Sequence, residues 1–89
     1  MRATTGNLKT TVGREELRAL VADALERSPA ELADEADLVG EFGLDSLAAL
    51  EIVVRLEKLY RIRVKDEEFA GITSLDRIHD LLTTKLKES

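Results

Sequence analysis

Three stretches of the sequence repeat their apolar residues every three or four positions, and this period restricts the chain to packed helices. The stretches are 14–27, 46–60 and 75–86, and they hold most of the Leu, Val and Ile residues. A period near 3.6 residues places such side chains on one face of an α-helix. Gly and Pro are scarce and Cys is absent, so neither a turn-rich β fold nor a disulfide scaffold fits. The sequence predicts an all-α fold, a small four-helix bundle with three main helices, one short helix and a long first loop.

The first helix is predicted from residue 13 or 14 to about Arg27, because Pro29 disfavours helical geometry in the residue before it. Its inner face is formed by apolar residues at helical spacing: Leu17, Leu20, Val21, Ala24 and Leu25. A short turn then starts at Ser28, where Glu31 completes a capping box.

A long connection, residues 32–44, leads to the central helix. It is punctuated by apolar residues, and we therefore expect it to pack over the helices. These residues are Leu32, Leu38, Val39, Phe42 and Leu44. The central helix is predicted over residues 46–60, with Asp45 as its N-cap and with neighbours on more than one side. Its buried stripe is expected to contain Leu47, Leu50 and Val54.

The remaining elements follow from local signals. Residues 61–64 alternate apolar and basic side chains but have no partner strand in the sequence, so we expect an extended connector. A single helical turn follows within residues 65–71. Thr73 or Ser74 then caps a last helix that runs to about Leu86.

The composition argues against several classes of function. The formal charge is −5, whereas proteins that bind nucleic acids present basic surfaces to phosphates. No apolar run has the length of a membrane span. Residues 1–12 are mostly polar, and we expect a flexible N-terminal tail there rather than a signal peptide. The absence of Cys is compatible with the cytoplasm, and the initial Met1 favours a free-standing protein, which we expect to be a monomer.

No arrangement of residues suggests catalysis or metal binding. Nucleophilic hydrolysis needs a base, usually His, beside the nucleophile. The only His is His79, far along the chain from Ser46, and we expect it to be a half-exposed helix residue. Zinc needs more His or Cys than the chain has, and the carboxylates lack the spacing of a calcium loop. We therefore predict neither catalytic residues nor a metal site.

Charge is divided between two parts of the chain. Residues 28–54 contain seven acids and neither Lys nor Arg, whereas residues 55–65 contain five basic residues and one acid. Like charges repel, so this collection of acids adds nothing to stability. The acids surround Ser46, which favours an acidic surface that attracts basic partners.

The central helix begins with the sequence GLDSL, in which Ser46 lies in the first turn, where we expect it to face water. Glu51 follows five residues after the serine, Tyr60 ends the helix, and the segments DEEF and ITSL lie beyond it. Together with the order and lengths of the helices over about residues 14–86, these features resemble the acyl carrier proteins.

The resemblance implies a function for the motif. Ser46 would be the attachment point of 4′-phosphopantetheine, which a phosphopantetheinyl transferase moves from coenzyme A with the help of magnesium. Asp45 and Leu47 complete the motif. The arm ends in a thiol that carries acyl groups as thioesters between enzymes. Residues 13–87 would form the acyl carrier domain, which would not be an enzyme itself.

The resemblance also implies partners, namely acyl-loading, condensing and tailoring enzymes with basic docking surfaces. The acids expected to meet them are Glu41, Asp45, Glu51 and Glu57. Fatty-acid carriers of the commonest kind have further acids after the serine, where Ala48, Arg55 and Lys58 stand here. This departure favours a specialised lipid or polyketide pathway. The alternatives are a peptidyl or aryl carrier, and a helical interaction module that is not modified.

Overall fold

The computed structural model describes residues 12–88, which form five α-helices and one 3₁₀ turn. They are α1 (Arg14–Ala24), the turn Pro29–Glu31, α2 (Leu38–Phe42), α3 (Ser46–Tyr60), α4 (Asp66–Phe69) and α5 (Leu75–Glu88). No strand occurs in this part of the chain, and the all-α prediction with three main helices is confirmed. The predicted tail, residues 1–12, lies outside the described residues except for Val12, which packs partly against the core.

A single apolar core joins the three long helices. α1 contacts both α3 and α5, and all three helices contribute fully buried aliphatic side chains to the centre. These include Leu17, Val21, Ile52, Leu56, Leu75, Ile78 and Leu82. Burying one such side chain stabilises a protein by about 1.5–3 kcal/mol. This core is therefore the main source of stability in a chain without disulfides.

α1 ends at Ala24 and not at Arg27, so the predicted boundary is wrong by one turn. The reason is a Schellman motif built on Glu26, whose φ is 60°. The Arg27 amide donates to the Ala22 carbonyl over 2.9 Å, and the Glu26 amide donates to the Asp23 carbonyl over 3.1 Å. Such a left-handed residue is usually Gly, and no Gly marks it here. The capping box at Ser28 and Glu31 is confirmed.

The loop predicted over residues 32–44 packs over the helices as expected, but it also contains α2. Asp37 caps this helix, since its Oδ1 accepts a hydrogen bond from the Val39 amide over 3.1 Å. Gly43 ends it with a φ of 67°, a conformation that favours glycine. A Cβ on Gly40 would lie 2.6 Å from Asp37 Oδ2, so the absence of a side chain there leaves room for the cap.

The loop is tied to the start of α5 by two backbone hydrogen bonds. The Leu38 amide donates to the Thr73 carbonyl over 2.9 Å, and the Asp76 amide donates to the Asp34 carbonyl over 3.0 Å. Both acceptors lie far along the chain from their donors. The loop is therefore positioned by the last helix as well as by the helices that it joins.

Two arginines of α1 strengthen this junction. Arg18 donates to Asp34 Oδ1 over 2.5 Å and to the Leu32 carbonyl, and Arg14 pairs with Asp76 over 2.5 Å. Hydrogen bonds to Glu15 and then to Asp34 raise the pKa of the Arg18 guanidinium above its ordinary value. The bond from Arg18 lowers the pKa of Glu15. The loop is thus held from α1 and from α5.

The connector predicted over residues 61–64 contains no helix or strand, but its first residue, Arg61, is the C-cap of α3 with a left-handed φ of 57° and is not extended. Ile62 is buried, and the Val64 amide donates to Glu57 Oε2 over 2.9 Å. α4 follows as a single turn, as predicted. Ser74 caps α5, because its Oγ accepts a hydrogen bond from the Arg77 amide over 3.2 Å.

Candidate attachment site at the start of α3

Ser46 is the first residue of α3, and it is exposed to solvent. Two backbone features fix its position. Gly43 turns the chain out of α2, and Asp45 adopts the extended conformation of an N-cap. Leu44 between them is buried, and its amide donates to the Leu38 carbonyl over 3.0 Å. The serine is therefore held on an anchored turn, where another protein can reach it.

The cap leaves the first turn of α3 suited to an anion. Asp45 Oδ1 accepts a hydrogen bond from the Ala48 amide over 2.8 Å, and the Asp45 carbonyl accepts one from the Ala49 amide over 2.9 Å. The amides of Ser46 and Leu47 have no carbonyl partner within the helix. The helix dipole is positive at this end. A phosphate ester on Ser46 would meet these amides and this dipole, so the site fits a serine-linked phosphodiester.

The prediction of a buried stripe on α3 is wrong. Leu47, Leu50 and Val54 are 75%, 52% and 40% exposed. The helix buries its opposite face, which contains Ala49, Ile52, Val53, Leu56 and Tyr60. α3 has apolar residues on two faces, and the helical period alone does not determine which of them meets α1. We call Leu47, Leu50 and Val54 the apolar stripe, and it leads away from Ser46 along one side of the helix.

Three of the four predicted docking acids accept hydrogen bonds from the backbone. Asp45 caps α3, and Glu41 Oε2 accepts a bond from the Asp37 amide over 3.2 Å. Glu57 is half-buried and binds the Val64 amide. Asp45 and Glu41 are nevertheless exposed, on the two sides of the turn that leads to the serine.

The fourth acid, Glu51, is paired within the chain. Arg55 Nη2 lies 2.5 Å from Glu51 Oε2, and Arg55 Nη1 lies 2.8 Å from Asp23 Oδ2 on α1. Hydrogen bonds to Asp23 and then to Glu51 raise the pKa of the Arg55 guanidinium. Lys58 follows one turn later and is exposed. The face beside Ser46 thus combines apolar side chains with a carboxylate that already has a cationic partner.

The single His of the chain has a structural contact. His79 is half-buried on α5, and its Nε2 lies 3.2 Å from the Val12 carbonyl oxygen, so the predicted half-exposed position is confirmed. Among residues 12–88, no cluster of His, Cys, Asp or Glu side chains could hold a metal ion. In the same part of the chain, no helix has the length and apolar character needed to cross a membrane.

Comparison with protein families shows the family of the chain. The family model for the phosphopantetheine attachment site matches residues 15–82. The chain belongs to this family. Members of the family carry acyl groups on 4′-phosphopantetheine, and they interact with the biosynthetic enzymes that load and use those groups.

Individual carriers are similar over nearly their whole length. Over 80 residues, the chain is 48% identical to the polyketide-8 synthase acyl carrier protein 2 of Streptomyces avermitilis, which covers 90% of this chain and 92% of the relative. It is 28% identical over 72 residues to an acyl carrier protein of Thermosynechococcus vestitus, covering 81% and 89% of the two chains. The chain is therefore an acyl carrier protein of polyketide or fatty-acid biosynthesis. It works with 4′-phosphopantetheine and has no catalytic activity of its own.

Sequence reasoning missed two features of this carrier, the exposure of the apolar stripe and the bridge from Arg55 to α1. A signal for the first was present. Glu51 and Lys58 share the face of Leu47 and Val54 at helical spacing, whereas the buried face of α3 carries no charge. The bridge has no such signal, because its partner Asp23 lies on another helix.

Proposed function

We propose that Ser46 carries the 4′-phosphopantetheine arm and that the cargo is a polyketide-type acyl chain held as a thioester. The observation that carries the first part is the exposed serine in the first turn of α3, on a turn anchored by Leu44 and capped by Asp45. The second part rests on the polyketide carrier that is 48% identical to this chain.

In the transfer reaction, the role of this chain is to present the Ser46 hydroxyl to the transferase. Ser46 Oγ forms a bond to the phosphorus that bears the pantetheine of coenzyme A, the bond from that phosphorus to the nucleotide part breaks, and the hydroxyl proton passes to a base of the transferase. The amides at the start of α3 and the helix dipole favour the resulting phosphodiester. When bound, the arm supplies a thiol for thioester chemistry, a group that a chain without Cys lacks.

The apolar stripe and the neighbouring acids together form the proposed docking face. Exposed apolar side chains beside a modification site are typical of a surface that a partner covers. Glu41, Asp45 and Glu51 would attract basic partner surfaces, while Glu57 lies at the end of α3 where it also holds the connector. The partners are the phosphopantetheinyl transferase and the acyl-loading, condensing and tailoring enzymes. The chain would meet them as a cytoplasmic monomer.

The test of the attachment site is incubation with coenzyme A, magnesium and a broad-specificity transferase, followed by intact mass spectrometry. We expect one added phosphopantetheine in the wild type and none in Ser46→Ala. Ser28→Ala is the matched control, since Ser28 is likewise an exposed serine at the start of a helical segment, where it is the N-cap of the turn Pro29–Glu31. This variant should be modified like the wild type. A wild-type chain that stays unmodified while a control carrier is loaded would refute the proposal.

Two alternatives remain as outcomes of a second experiment, intact mass spectrometry of the protein from its native host. An aminoacyl or aryl group on the arm would indicate a peptidyl or aryl carrier. A chain that is found without the arm, and whose function survives Ser46→Ala, would be a helical interaction module. A ketide or other acyl group supports the proposed function.

A further inference from the structure

Arg55 occupies an unusual place on the docking face. Its two Nη atoms contact two carboxylates from different helices, Glu51 of α3 and Asp23 of α1, over 2.5 and 2.8 Å. The three side chains remain partly open to water, at 36%, 48% and 74% exposure for Arg55, Glu51 and Asp23. We call these three residues the Arg55 clasp. It is a surface arrangement that a docking partner can rearrange.

Glu51 lies directly beside the apolar stripe. It follows Leu47 by four positions and precedes Val54 by three, and both spacings put residues on one face of a helix. A partner that covers the stripe therefore meets this carboxylate at the edge of the contact. In the isolated chain, that carboxylate is already neutralised by Arg55.

We propose that Arg55 is a specificity-determining residue of the docking face, which masks Glu51 so that a basic partner side chain must displace it. The inference rests on the proposed function. Asp23 makes the displacement possible, because Arg55 keeps one carboxylate partner when it releases Glu51. Partners that bind mainly through the apolar stripe do not have to displace Arg55. The clasp thus disfavours partners that depend on Glu51 and leaves apolar recognition unchanged.

The test is a double-mutant cycle on the rate of phosphopantetheine transfer at low salt, with Arg55→Gln, Glu51→Gln and the double variant. We expect Arg55→Gln to raise kcat/KM about two- to fivefold, the range for one exposed ion pair. The change should lie in KM and not in kcat, because docking precedes chemistry. It should vanish in the Glu51→Gln background and fade at about 1 M salt, where the Debye length is ~3 Å.

Lys58→Gln is the matched control. It removes one positive charge from the same face of α3, one turn beyond Arg55. Among the described residues, Lys58 forms no salt bridge to Glu51, which pairs with Arg55. Its effect should be the same whether or not Glu51 is present. Asp23→Asn should act in the opposite direction to Arg55→Gln, since it leaves Arg55 with Glu51 alone. An unchanged KM in Arg55→Gln would overturn the proposal. So would a rise in kcat/KM that persists when Arg55→Gln is made in the Glu51→Gln background.

A second readout does not depend on modification of Ser46. Urea denaturation of the same four proteins gives the coupling between Arg55 and Glu51 in the folding equilibrium constant, expected at about twofold for a pair spaced four residues apart on a helix. If no coupling is found, the Arg55–Glu51 ion pair does not form and the proposal is overturned. If coupling is present but the transferase leaves the wild type unmodified, the proposed function is refuted. The masking of Glu51 by Arg55 is not refuted by that result.

Discussion

Asp45 combines a structural and an electrostatic role that two substitutions separate. Its carboxylate caps α3 through the Ala48 amide over 2.8 Å, and it also places a negative charge beside Ser46. Asp45→Ala removes both the acceptor and the charge. Asp45→Asn removes only the charge, because the amide oxygen can still accept the hydrogen bond and Asn is as good an N-cap as Asp.

The expected losses of stability follow from these contacts. Losing the cap costs about 1 kcal/mol, and losing a carboxylate at a helix N-terminus costs about 0.3–1 kcal/mol. Asp45→Ala should therefore lose about 1.5 kcal/mol and Asp45→Asn about 0.5 kcal/mol. In a domain of this size, 1 kcal/mol corresponds to roughly 4–8 °C in Tm. Thermal unfolding followed by far-UV circular dichroism at neutral pH distinguishes the two variants.

The transferase assay provides a second measurement on the same two variants. If the charge at Asp45 helps docking, Asp45→Asn slows phosphopantetheine transfer at low salt although its fold is nearly as stable as the wild type. If the cap also keeps Ser46 in place, Asp45→Ala slows transfer further, and high salt does not remove the difference between the two variants. Equal Tm values for Asp45→Ala and Asp45→Asn would refute the role of the cap.

Three further predictions concern stability. Leu56→Ala should cost about 2–5 kcal/mol because its side chain is fully buried, whereas Leu50→Ala, on the exposed side of the same helix, should cost less than about 0.5 kcal/mol in urea denaturation. The hydrogen bond from Lys85 lowers the pKa of Glu68. The ionised Glu68 therefore contributes to stability above the ordinary Glu pKa of about 4.3, and this contribution is lost as the pH falls through the lower folded-state pKa. Glu68→Gln should flatten the acid limb of a stability–pH curve. Gly43→Ala should lower the free energy of unfolding by about 1 kcal/mol. The cost comes from the left-handed φ alone, because no atom lies within 4 Å of the added Cβ. An unchanged urea midpoint would contradict this account.

Local signals predicted most elements of the fold. α3 begins at Ser46 and ends at Tyr60 as expected, since Asp45 is a strong N-cap and the apolar period is unbroken. The end of α1 was mispredicted because Glu26 adopts the left-handed conformation without being Gly. α2 was missed because it is five residues long, although Asp37 and Gly43 at its two ends carry ordinary cap and stop signals.

The candidate site was predictable in part, for a physical reason. The position of Ser46 depends on local structure, namely the first turn of a capped helix, and the sequence contains that information. The exposure of Leu47 and Leu50 depends on which face of α3 meets α1, which is a property of the whole bundle. The Arg55 clasp depends in the same way on how close α1 and α3 lie.

The hydrogen bonds that join the loop to α5 also determine how this region opens. Surface loops usually exchange their amide hydrogens before the helices that they connect. The amides of Leu38 and Asp76 bond across the junction between the loop and α5, so they become exposed only when that junction separates. In native-state hydrogen–deuterium exchange, we expect both amides to exchange together and nearly as slowly as the core of α5. The turn that displays Ser46 then belongs to the cooperative unit of the bundle, and the serine is presented from a surface that does not unfold on its own.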